Sequence, residues 1–340
     1  MTRRSQVWSL SALLLGACGG GGSDDTSGST ASATDTADST GSATDDSTGA
    51  PTGTTPSGST ADPTAEPDPT AEPDPTAPTT STTTGETTGQ TTTATSETTG
   101  DPGVELPPPD GGFDYQLGGA YDPPEGVQIV SRDRNDPPAA GLYSICYVNG
   151  FQAQPDEESF WLDDHPDLVL RDGMGDPVID EDWDEMLLDT STPDKRAALA
   201  EIVGGWISGC KADGYQAIEI DNLDSYSRSQ DLLTQDDNVA YMALLSAAAH
   251  AEGLAIAQKN STELLDRADE MGTDFAVAEE CSTYDECGDY IGTYGDAVLM
   301  IEYVAEDFAA GCAAYPGMSI VLRDLDLTTP GEPEYVRDAC

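Results

Sequence analysis

The sequence predicts an α/β fold, a (β/α)8 TIM barrel, carried behind a processed N-terminal signal and an unstructured tether. Three observations lead there. Short apolar runs of strand length recur through the C-terminal part of the chain, segments with helical spacing lie between them, and acidic or amide residues follow one run after another at its C-terminal end.

The chain opens on "MTRR", a basic start, followed by the apolar "VWSLSALLLGA" and by Cys18 after small residues. The apolar stretch is too short to remain as a membrane span. It reads as an export signal over residues 1–18, and the "LGAC" box is similar to that of bacterial lipoproteins, which implies a lipidated Cys18 and a protein exported and anchored to a bacterial membrane at the cell surface or periplasm. Residues 19–109 are almost entirely Gly, Ser, Thr, Ala, Pro and Asp, with a tandem "TAEPDPTAEPDPTAP". Such a composition cannot bury a core, and as a flexible chain it would reach roughly 50 Å. It is expected to act as a spacer.

Residues 110–340 have the composition of one globular domain. The expected strands are "DYQL" (114–117), "VQIV" (127–130), "LYSICYV" (142–148), one hidden near "EMLLDT" (185–190), "YQAIEI" (215–220), "LAIAQ" (254–258), "DFAVA" (274–278), "AVLMI" (297–301) and "MSIVL" (318–322). Runs apolar throughout suit strands of a parallel sheet covered on both faces. The expected helices span 195–214, 238–253, 261–272 and 305–315, with Ser261 or Thr262 as a cap for the third. Eight or nine strands alternating with helices favour a closed barrel over an open sheet.

The whole chain has a formal charge of -51, and residues 110–340 alone hold 49 acidic against 11 basic side chains. That field excludes nucleic acid and anionic membrane surfaces as partners and attracts neutral or cationic ligands. Beyond Cys18 there are six cysteines, an even number that suits disulfides in an oxidising compartment. Their connectivity stays open, although Cys281 and Cys287 are near enough to pair and Cys340 can staple the C-terminal region. Two distant histidines and no paired CxxC leave no zinc site, and no Gly-rich phosphate loop is present, so neither metal nor cofactor is expected. A Ser-His-Asp hydrolase also has little to work with.

Chemistry concentrates at the strand ends. "YQAIEI" runs into Asp221, Asn222 and Asp224; "LAIAQ" into Lys259 and Asn260; "DFAVA" into Glu279 and Glu280; "AVLMI" into Glu302 and Tyr303; "MSIVL" into Arg323 and Asp324. In a barrel these positions share the C-terminal face, where barrel enzymes build their sites. Any one such end can be a turn former or cap, but the repetition points to a cleft. Two carboxylates on different strands are the minimum for cleaving a glycosidic bond, and Asp221 with Glu279 is the best-placed pair. Lys259 and Arg323 are expected to keep one of them ionised. The same oxygens can ligate a divalent cation, but no loop shows the ligand alternation of a calcium site.

In order, "DYQLGG", "CYVNG", "EIDNLDSY", "AHAEGLAIAQKN", "AEECSTYDECGDY" and "IEY" resemble glycoside hydrolase family 114, whose members are endo-α-1,4-polygalactosaminidases on a TIM barrel. The resemblance covers residues 110–340. It implies Asp221 and Glu279 as the catalytic pair, and Gln116, Tyr147, Asn222, Asp224, Tyr226, Lys259, Asn260, Glu280, Glu302, Tyr303 and Arg323 as cleft residues. It implies an endo-acting hydrolase of α-1,4-linked galactosamine-type polysaccharide, a monomer whose membrane contact is through its lipid alone. "VNGFQAQPDEESFW" and "LLDTSTPDKR" depart from the family pattern, which bears on the sugar more than on the reaction. A carbohydrate-binding lipoprotein on a catalytically silent barrel is the alternative.

Overall fold

The computed structural model describes residues 103–340; the signal segment, Cys18 and the tether through residue 102 lie outside the described residues. In chain order the strands are β1 (Gly112–Tyr115), β2 (Val127–Asp133), β3 (Tyr143–Asn149), β4 (Gln152–Ala153), β5 (Ile179–Asp180) and β6 (Glu185–Leu187). After helix α1 (Pro193–Asp213) come β7 (Ala217–Asp221), α2 (Gln235–Ala251), β8 (Ala255–Lys259) and α3 (Ala268–Met271). The chain continues with β9 (Phe275–Glu279), α4 (Cys287–Tyr294), β10 (Val298–Glu302), α5 (Ala305–Ala314), β11 (Ser319–Arg323) and β12 (Arg337–Ala339).

Eight of these strands form a parallel sheet in the order β1-β2-β3-β7-β8-β9-β10-β11, with β1 lying back against β11 to close a barrel. No backbone ladder joins β1 to β11 among the described residues. The seam is filled by β12, which pairs antiparallel with β11. From β12, Arg337 donates Nη2 to the Phe113 carbonyl at 3.2 Å and Nε to Asp114 Oδ1 at 3.2 Å, both on β1. Gly118 permits a further close approach at this seam, since a Cβ there would lie 2.2 Å from the Leu327 carbonyl oxygen.

The expected strand near 185–190 is corrected by the structure. Residues 185–187 form β6, but β6 pairs with β4 and β5 in a separate three-stranded antiparallel sheet inserted between β3 and α1. The barrel draws its eight strands from the other eight expected runs. The helical segment expected at 261–272 is a 3-10 turn (262–267) running into the four-residue α3, and Ser261 makes no side-chain cap bond. Helix α4 is additional to the helices expected from the sequence.

Strand alternation separates two cores. Inside the barrel, Phe113, Tyr115, Ile129, Ile145, Ala217, Ala255, Ala257, Phe275, Val277, Leu299, Ile301 and Val321 pack together. On the outer faces, the alternate residues meet the helices, as Val148, Ile218 and Ile220 meet Leu199, Val203 and Leu245. Because the side-chain period is two, this assignment decides which strand-end residues point into the barrel mouth. Three disulfides tie the layers: Cys146–Cys210 joins β3 to α1, Cys281–Cys287 closes the loop before α4, and Cys312–Cys340 joins α5 to the segment that ends β12.

Candidate active site

The inward positions of β7, β8 and β9 end in Asp221, Lys259 and Glu279, and these three side chains meet. Lys259 Nζ lies 3.2 Å from Asp221 Oδ1 and 3.2 Å from Glu279 Oε2. Beneath it, 3.3 Å away, is Glu219 Oε1, two residues earlier on β7 and fully buried. Each carboxylate also has its own donors. Tyr147 donates to Asp221 Oδ2 at 2.7 Å, and Asn260 Nδ2 to Glu279 Oε2 at 3.0 Å, while Tyr303 donates to Glu279 Oε1. Glu219 accepts from Tyr115 at 2.7 Å and from Ser131 at 2.6 Å. The Tyr115 hydroxyl in turn accepts from Lys259 Nζ at 3.0 Å.

The backbone at the three strand ends is specialised. Asn222, Asn260 and Glu280, each directly after its strand, have φ of 65°, 49° and 55°. Asparagine tolerates the left-handed region, but glutamate does so at a cost of order 1 kcal/mol. The turn swings each chain outward, leaving the preceding inward side chain at the mouth. Asn260 uses its turn to reach across, its Oδ1 accepting from the Glu279 backbone N–H at 2.9 Å while its Nδ2 holds the Glu279 carboxylate.

The electrostatics follow from one cation among three acids. Burial opposes the charge on Lys259, but Asp221, Glu279 and Glu219 outweigh it and hold the ammonium protonated well above the usual lysine range. Burial likewise pushes Asp221 up, yet Lys259, the Tyr147 hydroxyl and the Asn222 backbone bring it below the ordinary aspartate value. In Glu219 burial prevails over Lys259 and the two hydroxyls, and the carboxyl is raised. Burial, reinforced by the neighbouring carboxylates, keeps Tyr115, Tyr147 and Tyr303 as neutral hydroxyl donors. Asp221 is thus held as an ionised carboxylate, and Glu279 faces it across Lys259 with Asn260 and Tyr303 as its own donors.

The family model for glycoside-hydrolase family GH114 matches residues 91–340. The chain belongs to family GH114. It is therefore a glycoside hydrolase. Among solved structures this GH114 chain is similar to Ega3 of Aspergillus fumigatus in complex with galactosamine, at 22% identity and a TM-score of 0.56, covering 70% of this chain and 98% of that one. That likeness shows the barrel fold. The glycoside hydrolase domain of PelA from Pseudomonas aeruginosa also matches, at 15% identity and a TM-score of 0.43, over 65% of this chain and 97% of that one. No curated protein sequence matches.

Of the residues singled out from the sequence, the GH114 barrel brings together Asp221, Glu279, Lys259, Asn260, Tyr147 and Tyr303. Asn222 lies at their edge, donating to Asn149 Oδ1 at 3.1 Å. Glu280 is half-buried beside Glu279, and burial followed by the Glu279, Glu302 and Asp307 charges raises its carboxyl. Others are engaged elsewhere. Asp224 makes a two-pronged pair with Arg228 at 2.7 and 2.9 Å, and Tyr226 donates to Glu263. Glu302 occupies an outward position and accepts from the Ser282 backbone at 2.8 Å beside the Cys281–Cys287 bridge. Gln116 donates to Asp114 at 2.7 Å and accepts from Arg132 at 2.9 Å. Arg323 donates to the carbonyls of Thr328 and Val336, so it braces the seam rather than the carboxylate pair.

Four groups of the site went unnoticed as site residues in the sequence: Tyr115, Ser131, Asn149 and Glu185. Tyr115 lies inside the β1 run, while Ser131 and Asn149 directly follow the runs at 127–130 and 142–148, so they carry the same strand-end signal as Asp221 and Lys259. A recess of about 310 Å³ lined by Glu105, Lys211, Gly214, Tyr215, Gln216 and Gly253 opens at the opposite end of the barrel, where strands begin. It holds none of the paired acids, and barrel chemistry belongs to the other face.

Proposed function

We propose that this GH114 protein is an exported, lipid-anchored, endo-acting hydrolase of α-1,4-linked galactosamine-type polysaccharide, with Asp221 as nucleophile and Glu279 as acid and then base. One observation carries the mechanism: Asp221 and Glu279 each touch the same Lys259 nitrogen at 3.2 Å. Their nearest oxygens cannot then be further apart than those two contacts laid end to end. That upper bound lies above the ~5–5.5 Å typical of retaining pairs and just under the ~6.5–9.5 Å of inverting ones, so the configuration of the product decides between a nucleophilic Asp221 and one that activates water.

In the first step an Asp221 oxygen attacks the anomeric carbon while the glycosidic C–O bond breaks, and the leaving oxygen takes its proton from Glu279. In the second, water attacks the same carbon, Glu279 takes the water's proton, and the Asp221–carbon bond breaks. Asp221 loses its charge as Glu279 gains one, so Lys259, touching both, faces one catalytic anion at each stage without moving. Because one carboxyl loses its charge as the other gains one, the net charge around Lys259 stays constant through the cycle, which limits reorganisation in a medium of low dielectric.

The substrate reading rests on the motifs shared with the family, on the galactosamine held by the similar Ega3 structure, and on a domain acidic enough to draw a cationic polymer. Export and anchoring rest on the leader ending at Cys18. The test is hydrolysis of galactosamine oligomers by wild type, Asp221→Asn and Glu279→Gln, with the anomeric configuration of fresh product followed by NMR. Each variant should lose at least about 10³-fold in kcat while still folding and unfolding cooperatively, and the product should retain configuration. Undiminished turnover in either variant would sink the assignment, and an inverted product the mechanism. Binding of oligomer without any turnover by wild type would instead favour a silent carbohydrate-binding barrel. Cys18→Ser should move the protein from the membrane to the soluble fraction; an unchanged distribution would refute the anchor.

A further inference from the structure

The small sheet inserted between β3 and α1 sends one carboxyl group toward the catalytic aspartate. Glu185, at the start of β6, is 9% exposed. Asn149, which ends β3 and pairs in register with Asp221, donates Nδ2 to Glu185 Oε2 at 2.9 Å. Asn222, the residue after Asp221, reaches the same oxygen from 3.5 Å. Both amides converge on Oε2, which leaves Oε1 outside those bonds. The glutamate is thus held by the two immediate neighbours of Asp221, one across the sheet and one along the chain.

We propose that Glu185 is a specificity-determining residue that takes the ammonium group on C2 of the sugar bound against Asp221, selecting free-amine hexosamine over its N-acetylated form. The proposal rests on the galactosamine reading above. The geometry argues for C2 because that carbon is one bond from the carbon Asp221 attacks. Glu185 lies on the side of Asp221 held by Asn149 and Asn222, and the proposal places the C2 substituent of the first sugar on that side. The chemistry argues for an ammonium, since a carboxylate with one oxygen anchored by amides offers the other as a charge-assisted acceptor. An acetamide offers a single N–H and the added bulk of its acetyl group.

Charge balance makes the proposal measurable. The groups facing Glu185 are Asp221 from β7, Asp180 from β5, Asn149 from β3 and Arg228 from the turn after β7. Burial leads, Asp221 and Asp180 add to it, and together they outweigh the Asn149 bond and the Arg228 charge, pushing the carboxyl up to about 8. The empty site therefore holds a protonated Glu185 at pH 7. An arriving ammonium keeps its own proton and supplies the missing positive charge, so Glu185 releases its proton to solvent as the ion pair forms. A neutral N-acetyl sugar brings no such charge, and the proton stays.

The experiment titrates wild-type and Glu185→Gln protein with galactosamine trimer and with N-acetylgalactosamine trimer at pH 7, by calorimetry in buffers of different ionisation enthalpy, alongside kcat/KM for each. Wild type should release close to one proton on binding the free amine and none on binding the acetylated trimer. Glu185→Gln, which can still accept from Asn149, should lose the release and fall about tenfold or more in kcat/KM on the amine, with less than about twofold change on the acetylated trimer. Absence of amine-linked proton release in wild type would overturn the proposal even if the variant failed to fold. So would an equal loss on both trimers, the mark of a merely structural role. Wild type that binds and cleaves neither trimer would overturn the galactosamine reading and this proposal together. Cleavage of the amine trimer with no change of preference in Glu185→Gln would overturn this one alone.

Discussion

At the scale of single residues, Lys259 makes the candidate site what it is. It is 3% exposed and surrounded by three carboxylates, so removing its charge leaves buried acids without a partner. Such truncations cost about 3–5 kcal/mol. The pH dependence follows from Asp221. In wild type its carboxyl lies below the ordinary value, so it contributes stability above the unfolded pKa, lost as pH falls through the folded one. In Lys259→Met, burial raises the same carboxyl, which then favours the fold only while protonated. Urea unfolding should show the gap between the two proteins widening from pH 5 to pH 7.5, and a pH-independent gap would refute this account. The acid limb of kcat/KM should move to higher pH in the same variant. Much of this residue set was legible in the sequence because polar residues after apolar runs mark a barrel mouth. Parity was the missing discriminator: Glu302 and Tyr303 are adjacent, so they cannot both point inward, and β10 aims Tyr303 at Glu279 while Glu302 turns to Ser282. Glu185 was hidden for a different reason. It reaches the site from an inserted sheet, and no local pattern reports which way such a sheet folds back.

At the scale of elements, apolar runs of strand length located every barrel strand, because parallel strands buried on both faces have little freedom in composition. The run containing β6 has the same composition but is buried by the inserted sheet, where Leu187 meets Leu170, Val178 and Leu233. Helix α4 escaped notice because "CGDYIGTY" is poor in strong helix formers. Tertiary constraints form it instead: the Cys281–Cys287 bridge fixes its first residue, and Tyr290 and Tyr294 are buried. The Cys312–Cys340 bridge does similar work for β12, closing a separation of 28 residues, for which chain entropy gives roughly 3–4 kcal/mol. The double variant Cys312→Ser/Cys340→Ser should unfold at correspondingly lower denaturant, and trypsin should reach Arg337 in it well before it does in wild type. Equal protection of Arg337 in both would show that the ladder to β11 suffices alone.

At the scale of the molecule, the excess of acids over bases in residues 110–340 sets a field that extends beyond the cleft. For a cationic polymer this field speeds encounter, and salt weakens it within a Debye length of about 8–10 Å at physiological ionic strength. The expected outcome is a kcat/KM on galactosamine polymer that falls several-fold between about 20 and 300 mM salt, through association rather than kcat. The N-acetylated oligomer, being neutral, should show a flat profile; parallel profiles would remove long-range attraction from the account.

The seam between β1 and β11 also sets an order of events. The bond from Arg337 to Asp114 joins positions 223 apart in sequence, and β1 has no ladder partner on that edge among the described residues. A chain made from its N-terminus presents β1 first and must wait for β12 before the circle can close. Until then one edge of the sheet stands open to water and to other chains, a state that is slow to resolve and prone to mispairing. Asp221, Lys259 and Glu279 stand on neighbouring strands and can meet before that, but Tyr115 on β1 reaches Glu219 and Lys259 across the barrel only as the circle closes.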